Sequence, residues 1–292
     1  MMNRMKSVLS LVGALCALGA SAVQFEVKPR TCYEVTYRAR VVNGPCREMS
    51  PQLSEIIPLS VSRFNATAVS FCAVQWRFKN SAGKKISRPH EGASPQTLFS
   101  REWTEYRYRF WTPENAAAFE LYIQAGSKKN RAEIADARIK EVKSPAILNF
   151  NGDFSAADDA APGWQLVGTA VFQNIAPGKS EVNTLTGHVN SDLFPVTPGS
   201  AVKVEAVCSN PVVIGGRHDY TNVRLEFYSV YTDAADKTAR AKALVEPPLS
   251  PSGNPAVKSR VYRVPDGKRW ARVSAWHGIV KKISAVEEEG AK

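Results

Sequence analysis

A chain of 292 residues predicts one or two domains, each large enough for its own core. Its 38 Lys and Arg against 27 Asp and Glu give a net charge of +11, a field that suits polyanions or acidic polymers. Five cysteines at irregular spacing exclude a dense disulfide scaffold, and four scattered histidines with no C-x-x-C pair argue against a metal site.

The first 22 residues read as a secretory signal. Arg4 and Lys6 form a positive start, Ser7 to Leu18 an apolar stretch, and Ala20-Ser21-Ala22 the small-residue pattern that precedes cleavage. The mature chain is expected to begin at Val23 and, having lost Arg4 and Lys6 from the +11 total, to carry +9. Cys16 follows Leu15 rather than the small residue of a lipid-anchor signal. The apolar stretch is shorter than a bilayer-spanning helix and no later one is longer, so no transmembrane anchor is expected. The destination is then periplasmic, cell-surface or extracellular, which sets nucleic acid aside as a partner.

Beyond the signal, short runs rich in Val, Tyr, Phe and Thr alternate apolar with polar residues, as half-buried strands do. Tyr33, Val35, Tyr37, Ala39 and Val41 share one face of a first strand. Cys72, Val74, Trp76 and Phe78 lie opposite Ala73, Gln75 and Arg77, and Tyr106, Tyr108 and Phe110 alternate with Arg107, Arg109 and Trp111. Thr112-Pro113-Glu114-Asn115 makes a turn before Phe119, Leu121 and Ile123 resume the pattern. Val142-Lys143-Ser144-Pro145-Ala146 breaks any continuing strand, placing a boundary between residues 23–144 and residues 145–292.

The second part repeats the first. Val27-Lys28-Pro29 matches Val196-Thr197-Pro198, Phe78-Lys79-Asn80 matches Tyr231-Thr232-Asp233, and Trp111-Thr112-Pro113 matches Arg263-Val264-Pro265. By this alignment Cys208 falls at the position of Ala39, on one face with Val202, Val204 and Ala206, and is expected to be a buried free thiol. A disulfide, if one forms, belongs among Cys32, Cys46 and Cys72. Glu287-Glu288-Glu289 reads as a frayed, solvated tail.

Asn149-Phe150-Asn151-Gly152-Asp153-Phe154, Pro162-Gly163-Trp164, Val196-Thr197-Pro198-Gly199, Leu225-Glu226-Phe227-Tyr228 and Val264-Pro265-Asp266-Gly267 resemble, in order, the landmarks of jelly-roll carbohydrate-binding modules of the family 4 and family 9 type. These modules belong to the galactose-binding-domain-like group. The resemblance implies an all-β protein of two tandem jelly-roll sandwiches, the first either shortened at its N-terminus or borrowing an edge strand. It implies no cofactor beyond a structural calcium. Here Ser155 follows Phe154 and the strand near Val280-Lys281-Lys282-Ile283 has no Asp, leaving Asp153, Asp158 and Asp159 alone, a weak case for a shell of roughly 6 to 8 oxygens and better read as loop solvation.

Two functions follow. One is an exported, non-catalytic module that binds a polysaccharide or other glycan, anionic ones included, by aromatic stacking. The other is an envelope scaffold whose partner is a protein. An enzyme is disfavoured: no G-x-S-x-G, H-E-x-x-H or phosphate-loop motif occurs. Gly215-Gly216-Arg217-His218-Asp219 lacks a matched nucleophile, and nothing selects a carboxylate pair such as Glu120 with Glu226.

The candidate site comes from alternation on the last strands. Ala271, Val273 and Ala275 suit the core, which turns Trp270, Arg272, Ser274 and Trp276 to the other face. Arg224, Glu226 and Tyr228 do the same upstream. Neighbouring strands would make a platform of Trp270, Trp276 and Tyr228 with Arg224 and Arg272 beside it. Gln75, Arg77, Arg107, Arg109, Trp111 and Tyr122 form a second candidate face in the first domain.

Overall fold

The computed structural model describes residues 22–44, 46, 72–86, 96–98, 100–125, 127–143, 145–155, 162–168, 170–176, 179–184, 187–209, 221–231, 244–245 and 256–288. Residues 1–21 of the expected signal, Asp158, Asp159 and the Gly215-Gly216-Arg217-His218-Asp219 stretch lie outside them.

The described residues are strands and their connections. In the first part these are β1 (Ala22–Glu26), β2 (Cys32–Asn43), β3 (Cys72–Lys79), β4 (Lys85–Ile86), β5 (Gln96–Leu98), β6 (Thr104–Trp111), β7 (Ala118–Ala125) and β8 (Arg131–Glu141). One sheet runs β6-β2-β8, the other β1-β7-β3-β4 with β5 also on β3. The second part carries β9 (Trp164–Val167), β10 (Val171–Ala176), β11 (Lys179–Asn183), β12 (His188–Ser191), β13 (Phe194–Pro195), β14 (Ala201–Ser209), β15 (Asn222–Tyr228), β16 (Leu244–Val245), β17 (Ala256–Arg263), β18 (Trp270–Trp276) and β19 (Ile279–Glu288). Its sheets run β10-β11-β19-β14-β17 and β16-β15-β18-β12-β9, with β13 also on β18. Every described strand pair is antiparallel, and no sheet mixes strands from the two parts. The result is two successive β-sandwiches.

Alternation predicts the inward faces correctly. Val35, Ala39, Val41, Val74, Phe78 and Phe119 are buried in the first sandwich, and Val202, Val204, Ala206, Cys208, Val223, Leu225, Phe227, Ala271, Val273 and Ala275 in the second. Burial of apolar faces is the main driving term here, roughly 25 cal/mol per Å² removed from water. All four described cysteines are buried and free, so Cys32, Cys46 and Cys72 form no bridge among themselves.

The repeat is visible in backbone bonds. Arg30 N donates to Thr112 O at 3.0 Å and Thr112 N to Thr31 O at 3.1 Å, just as Gly199 N donates to Val264 O at 2.9 Å and Val264 N to Ser200 O at 2.8 Å. Both turns need positive φ: Gly199 takes 81° at no steric cost, and Arg30 takes 48° despite its Cβ. Ala117 N bonds Lys79 O and Arg269 N bonds Tyr228 O, which makes Lys79 the counterpart of Tyr228 and Phe78 that of Phe227. Matching Phe78 to Tyr231 is therefore out of register. Polar hairpin residues recur at any loop length, whereas the turn bonds hold the strands.

The landmark stretch opening the second part is structural. Asn149 spans β19, its Nδ2 donating to Ile283 O at 2.9 Å and its Oδ1 accepting from Ala285 N at 2.6 Å. Trp164 Nε1 donates to the carbonyls of Phe150 and Asn151 at 3.0 and 2.8 Å. Glu287 is no free tail: its Oε1 accepts from Ser200 Oγ at 2.6 Å and Thr197 N at 3.3 Å, tying β19 to the turn before β14.

The two sandwiches share a packed boundary. Phe150, Leu193, Tyr228, Tyr231 and Trp270 of the second belong to the same apolar cluster as Tyr33, Phe78, Tyr108 and Phe110 of the first. Trp111 packs against both cores and donates its indole N–H to Leu148 O at 3.1 Å. Tyr108 Oη donates to the Asp192 carboxylate across the same boundary.

Candidate functional site

Strands β15 and β18 pair as the sequence requires, with Asn222 opposite Trp276, Arg224 opposite Ser274, Glu226 opposite Arg272 and Tyr228 opposite Trp270. All eight side chains lie on the side of the sheet away from its own core, but they separate into a buried end and a more open one.

At the buried end the expected platform does not form. Trp270 is 0% exposed: its Nε1 donates to Glu114 Oε1, Tyr231 packs edge-on at 5.2 Å, and the Arg30 guanidinium lies 5.5 Å from its ring centroid. Tyr228 is also buried, its hydroxyl donating to Glu226 Oε2 at 2.5 Å. Arg272, 4% exposed, places Nε and Nη2 each 2.6 Å from the same oxygen. Trp270, Tyr228 and Arg272 are thus no stacking surface. Alternation tells which side of a sheet a residue takes, not what covers that side, and here the first sandwich covers Trp270.

The open end keeps Trp276 and Arg224 and adds residues from β12 and β9. Trp276 is half-buried; the His188 ring stacks on it at 5.3 Å and the Arg224 guanidinium lies 4.7 Å from its centroid. These partners come from strands on either side of β18, so the indole is flanked rather than laid open. Beside it, Gln165, Asn190, Ser274 and Arg224 follow one another in register across β9, β12, β18 and β15. Ser274 is 0% and Asn190 2% exposed. Ser274 Oγ, Asn190 Oδ1 and Arg224 Nε are buried with no hydrogen-bond partner, while Asn190 Nδ2 reaches Gln165 Oε1 at 3.4 Å. An unmet buried polar atom costs about 1–3 kcal/mol, and three in one row mark a place where a partner from outside the chain would be stabilising once the flanking side chains move to admit it.

Asn190 and Gln165 were not legible as site residues. The four-residue β12, His188-Val189-Asn190-Ser191, has only two periods of alternation, and its polar pair looks like any loop margin.

The second candidate face divides between two sheets. Gln75, Arg77 and Tyr122 meet on β3 and β7, Gln75 opposite Tyr122, with the Arg77 guanidinium 4.7 Å from the Tyr122 centroid. Arg77 Nε donates to Glu120, whose Oε2 also lies 2.9 Å from Lys79 Nζ. These contacts hold the Glu120 carboxyl below its ordinary value, against an opposing desolvation cost. Arg107, Arg109 and Trp111 instead stand on β6, in the opposite sheet. There Arg107 and Arg109 lie 3.7 and 3.8 Å from Glu34 Oε2, and Trp111 is committed to the boundary. Each strand's inward face could be read from sequence, but which sheet it joined depended on pairing across long connections.

Glu120 and Glu226, the sample carboxylate pair, sit in different sandwiches, each neutralised by an arginine. The turn bonds align Arg77 with Glu226 and Glu120 with Arg272, so one cross-strand ion pair occupies the same place twice with its charges exchanged. Asp153 Oδ1 accepts from Ser155 Oγ at 2.8 Å, and no cluster of metal-ligating groups occurs among the described residues. No helix among them is long and apolar enough to cross a membrane.

No family model and no curated protein matches the chain. Among solved structures it is similar to the tandem CBM22-1–CBM22-2 domain of Paenibacillus barcinonensis Xyn10C, at 13% identity over 91% of this chain and 82% of that one, with a TM-score of 0.31. The tandem CBM51 modules of a family 98 glycoside hydrolase from Streptococcus pneumoniae match at 10% identity over 91% and 81%, with a TM-score of 0.21. The enzymatically active domain of tailspike protein 4 of bacteriophage CBA120 matches at 16% identity over 49% and 22%, with a TM-score of 0.32. Binding modules and enzymes both occur among these neighbours, so the functional reading rests on this chain's own residues.

Proposed function

We propose that this chain is an exported, non-catalytic glycan-binding protein, of the jelly-roll type that its family 4 and family 9 landmarks resemble. Its site is the open end of the β9-β12-β18-β15 face. The observation that carries the reading is the row of unmet polar atoms on Asn190, Ser274 and Arg224 beside Trp276. Sugar hydroxyls both donate and accept, so one ring, admitted as the Arg224 side chain moves, can satisfy a hydroxyl, an amide oxygen and a guanidinium together. Trp276 contributes its edge and, when Arg224 or His188 moves aside, a face for stacking. The alternative, an envelope scaffold that binds a protein, draws on β17, an edge strand exposing Val257 at 61% and Val261 at 49%.

The test is a glycan array on the chain from Val23 onward, repeated with Asn190→Ala and Trp276→Ala. Binding that both substitutions weaken supports the proposal. Binding to no glycan, or binding indifferent to both, would leave the scaffold reading in its place.

A further inference from the structure

The polar row is not electrically balanced, and the imbalance selects a class of glycan. Of the two arginines on this face, Arg272 is matched by Glu226, whose Oε2 lies 2.6 Å from its Nη2. Arg224 forms no ion pair or hydrogen bond with any described residue, and its guanidinium rests against the Trp276 ring. Of the other described groups around it, Asn222, Ser274, Asn190 and Gln165 are neutral, Glu226 two residues along β15 is engaged by Arg272 and Tyr228, and His188 beyond Trp276 brings no negative charge. Register places the buried Ser274 hydroxyl directly across from Arg224, with Asn190 one strand further.

A guanidinium held against an indole, with its Nε unmet and a hydroxyl beside it, matches an oxyanion that presents two oxygens side by side. Such a group accepts two parallel N–H bonds from arginine, roughly twice as strong as neutral ones, and a further bond from the serine. Neutral sugar hydroxyls would leave that charge uncompensated. We infer that the glycan is acidic: an anionic group on the sugar, a uronate carboxylate or a sulfate ester, seats against Arg224 as that side chain swings off Trp276 and uncovers the Ser274 hydroxyl, while the ring lies toward Trp276 and Asn190. This rests on the glycan-binding reading and narrows it.

Isothermal titration would compare polygalacturonate with the same polymer after methyl esterification, with dextran sulfate, with neutral xylan and with polyglutamate. The expected result is at least tenfold tighter binding of polygalacturonate, or of dextran sulfate, than of the esterified polymer. The stronger of the two names carboxylate or sulfate. Arg224→Gln should bring affinity down to the level of the esterified polymer, and Arg224→Lys should recover part of it. Lys258→Gln, which removes an equal charge from the exposed β17, should change nothing. Thermal melting checks that each variant folds; should Arg224→Gln unfold, Arg224→Lys against Lys258→Gln decides the matter. Equal binding of the acidic and esterified polymers, equal losses from Lys258→Gln, or equal binding of polyglutamate would each overturn the inference. Trp276-dependent binding of neutral xylan without preference for the acidic polymers would overturn it while leaving the glycan site standing. Binding of none of these polymers, together with a blank array, would remove both.

Discussion

The indole N–H of Trp270, on the second sandwich, donates to the carboxylate of Glu114, in the turn between β6 and β7 of the first. The same Glu114 oxygen accepts from Tyr231 N at 3.1 Å, so one side chain satisfies two donors of the neighbouring unit. Trp270→Ala should therefore cost about 3–5 kcal/mol, as truncation of a core aromatic does. Glu114→Gln, which keeps the shape but not the charge, should cost about 1–3 kcal/mol. Denaturant unfolding of both singles and the double would give a coupling energy well above zero; additive losses would show the bond to be idle.

Trp276 should behave oppositely. It is half-buried and flanked by side chains of its own sheet, so Trp276→Ala should leave the melting temperature within a few degrees of the parent while weakening glycan binding up to about tenfold, the scale of one aromatic contact. Calorimetry and titration on one preparation check both halves. A collapse in melting temperature would move Trp276 into the core.

Gly152 is held against β19, where Ile283 N donates to its carbonyl at 2.7 Å. An added Cβ would stand 2.1 Å from Ile283 O, a backbone atom that cannot swing away. Gly152→Ala should destabilise the chain by about 1–3 kcal/mol or more through overpacking, read as a lower midpoint in urea.

Two buried carboxylates should give opposite pH responses. Glu120 titrates below its ordinary 4.5 because of its bond to Arg77, aided by Lys79, so its stabilisation is present above pH 4.5 and lost as pH falls through the lowered value. Glu120→Gln should lower the melting temperature at pH 7, with the difference shrinking toward pH 3. Glu181, 8% exposed, is pushed above 4.5 by desolvation, partly offset by Lys281. Its contribution is complete below pH 4.5 and lost as pH rises through the raised value. Glu181→Gln should accordingly raise the melting temperature at pH 7 and leave it unchanged at pH 4.

Burial pushes the Cys208 thiol up to about 12, and the side chain is enclosed with Val202, Val204 and Ala206. Pulse alkylation of the native protein should leave it unlabelled, and labelling should rise only along the unfolding curve. Rapid native labelling would show that the strand opens locally.

Period-2 alternation by itself determined the all-β class, the inward faces of β2, β3, β7, β14, β15 and β18, and the buried setting of Cys208. Each of these depends only on neighbours along one strand, because side chains two apart share a face whatever the strand pairs with. The turn repeat was legible for a similar reason, since its Val-x-Pro signal is local, although Arg30 gives no sign in sequence of the positive φ that Gly199 advertises. What the tertiary structure decided was everything that depends on a second surface. Trp270 and Trp276 are indistinguishable by alternation, yet docking of the first sandwich buries one and spares the other. Gln75 and Arg109 look alike in sequence and stand on opposite sheets, because pairing is chosen by contacts among residues far apart in the chain. The row from Gln165 through Asn190 and Ser274 to Arg224 exists only once four strands are set side by side, in a register no single segment encodes.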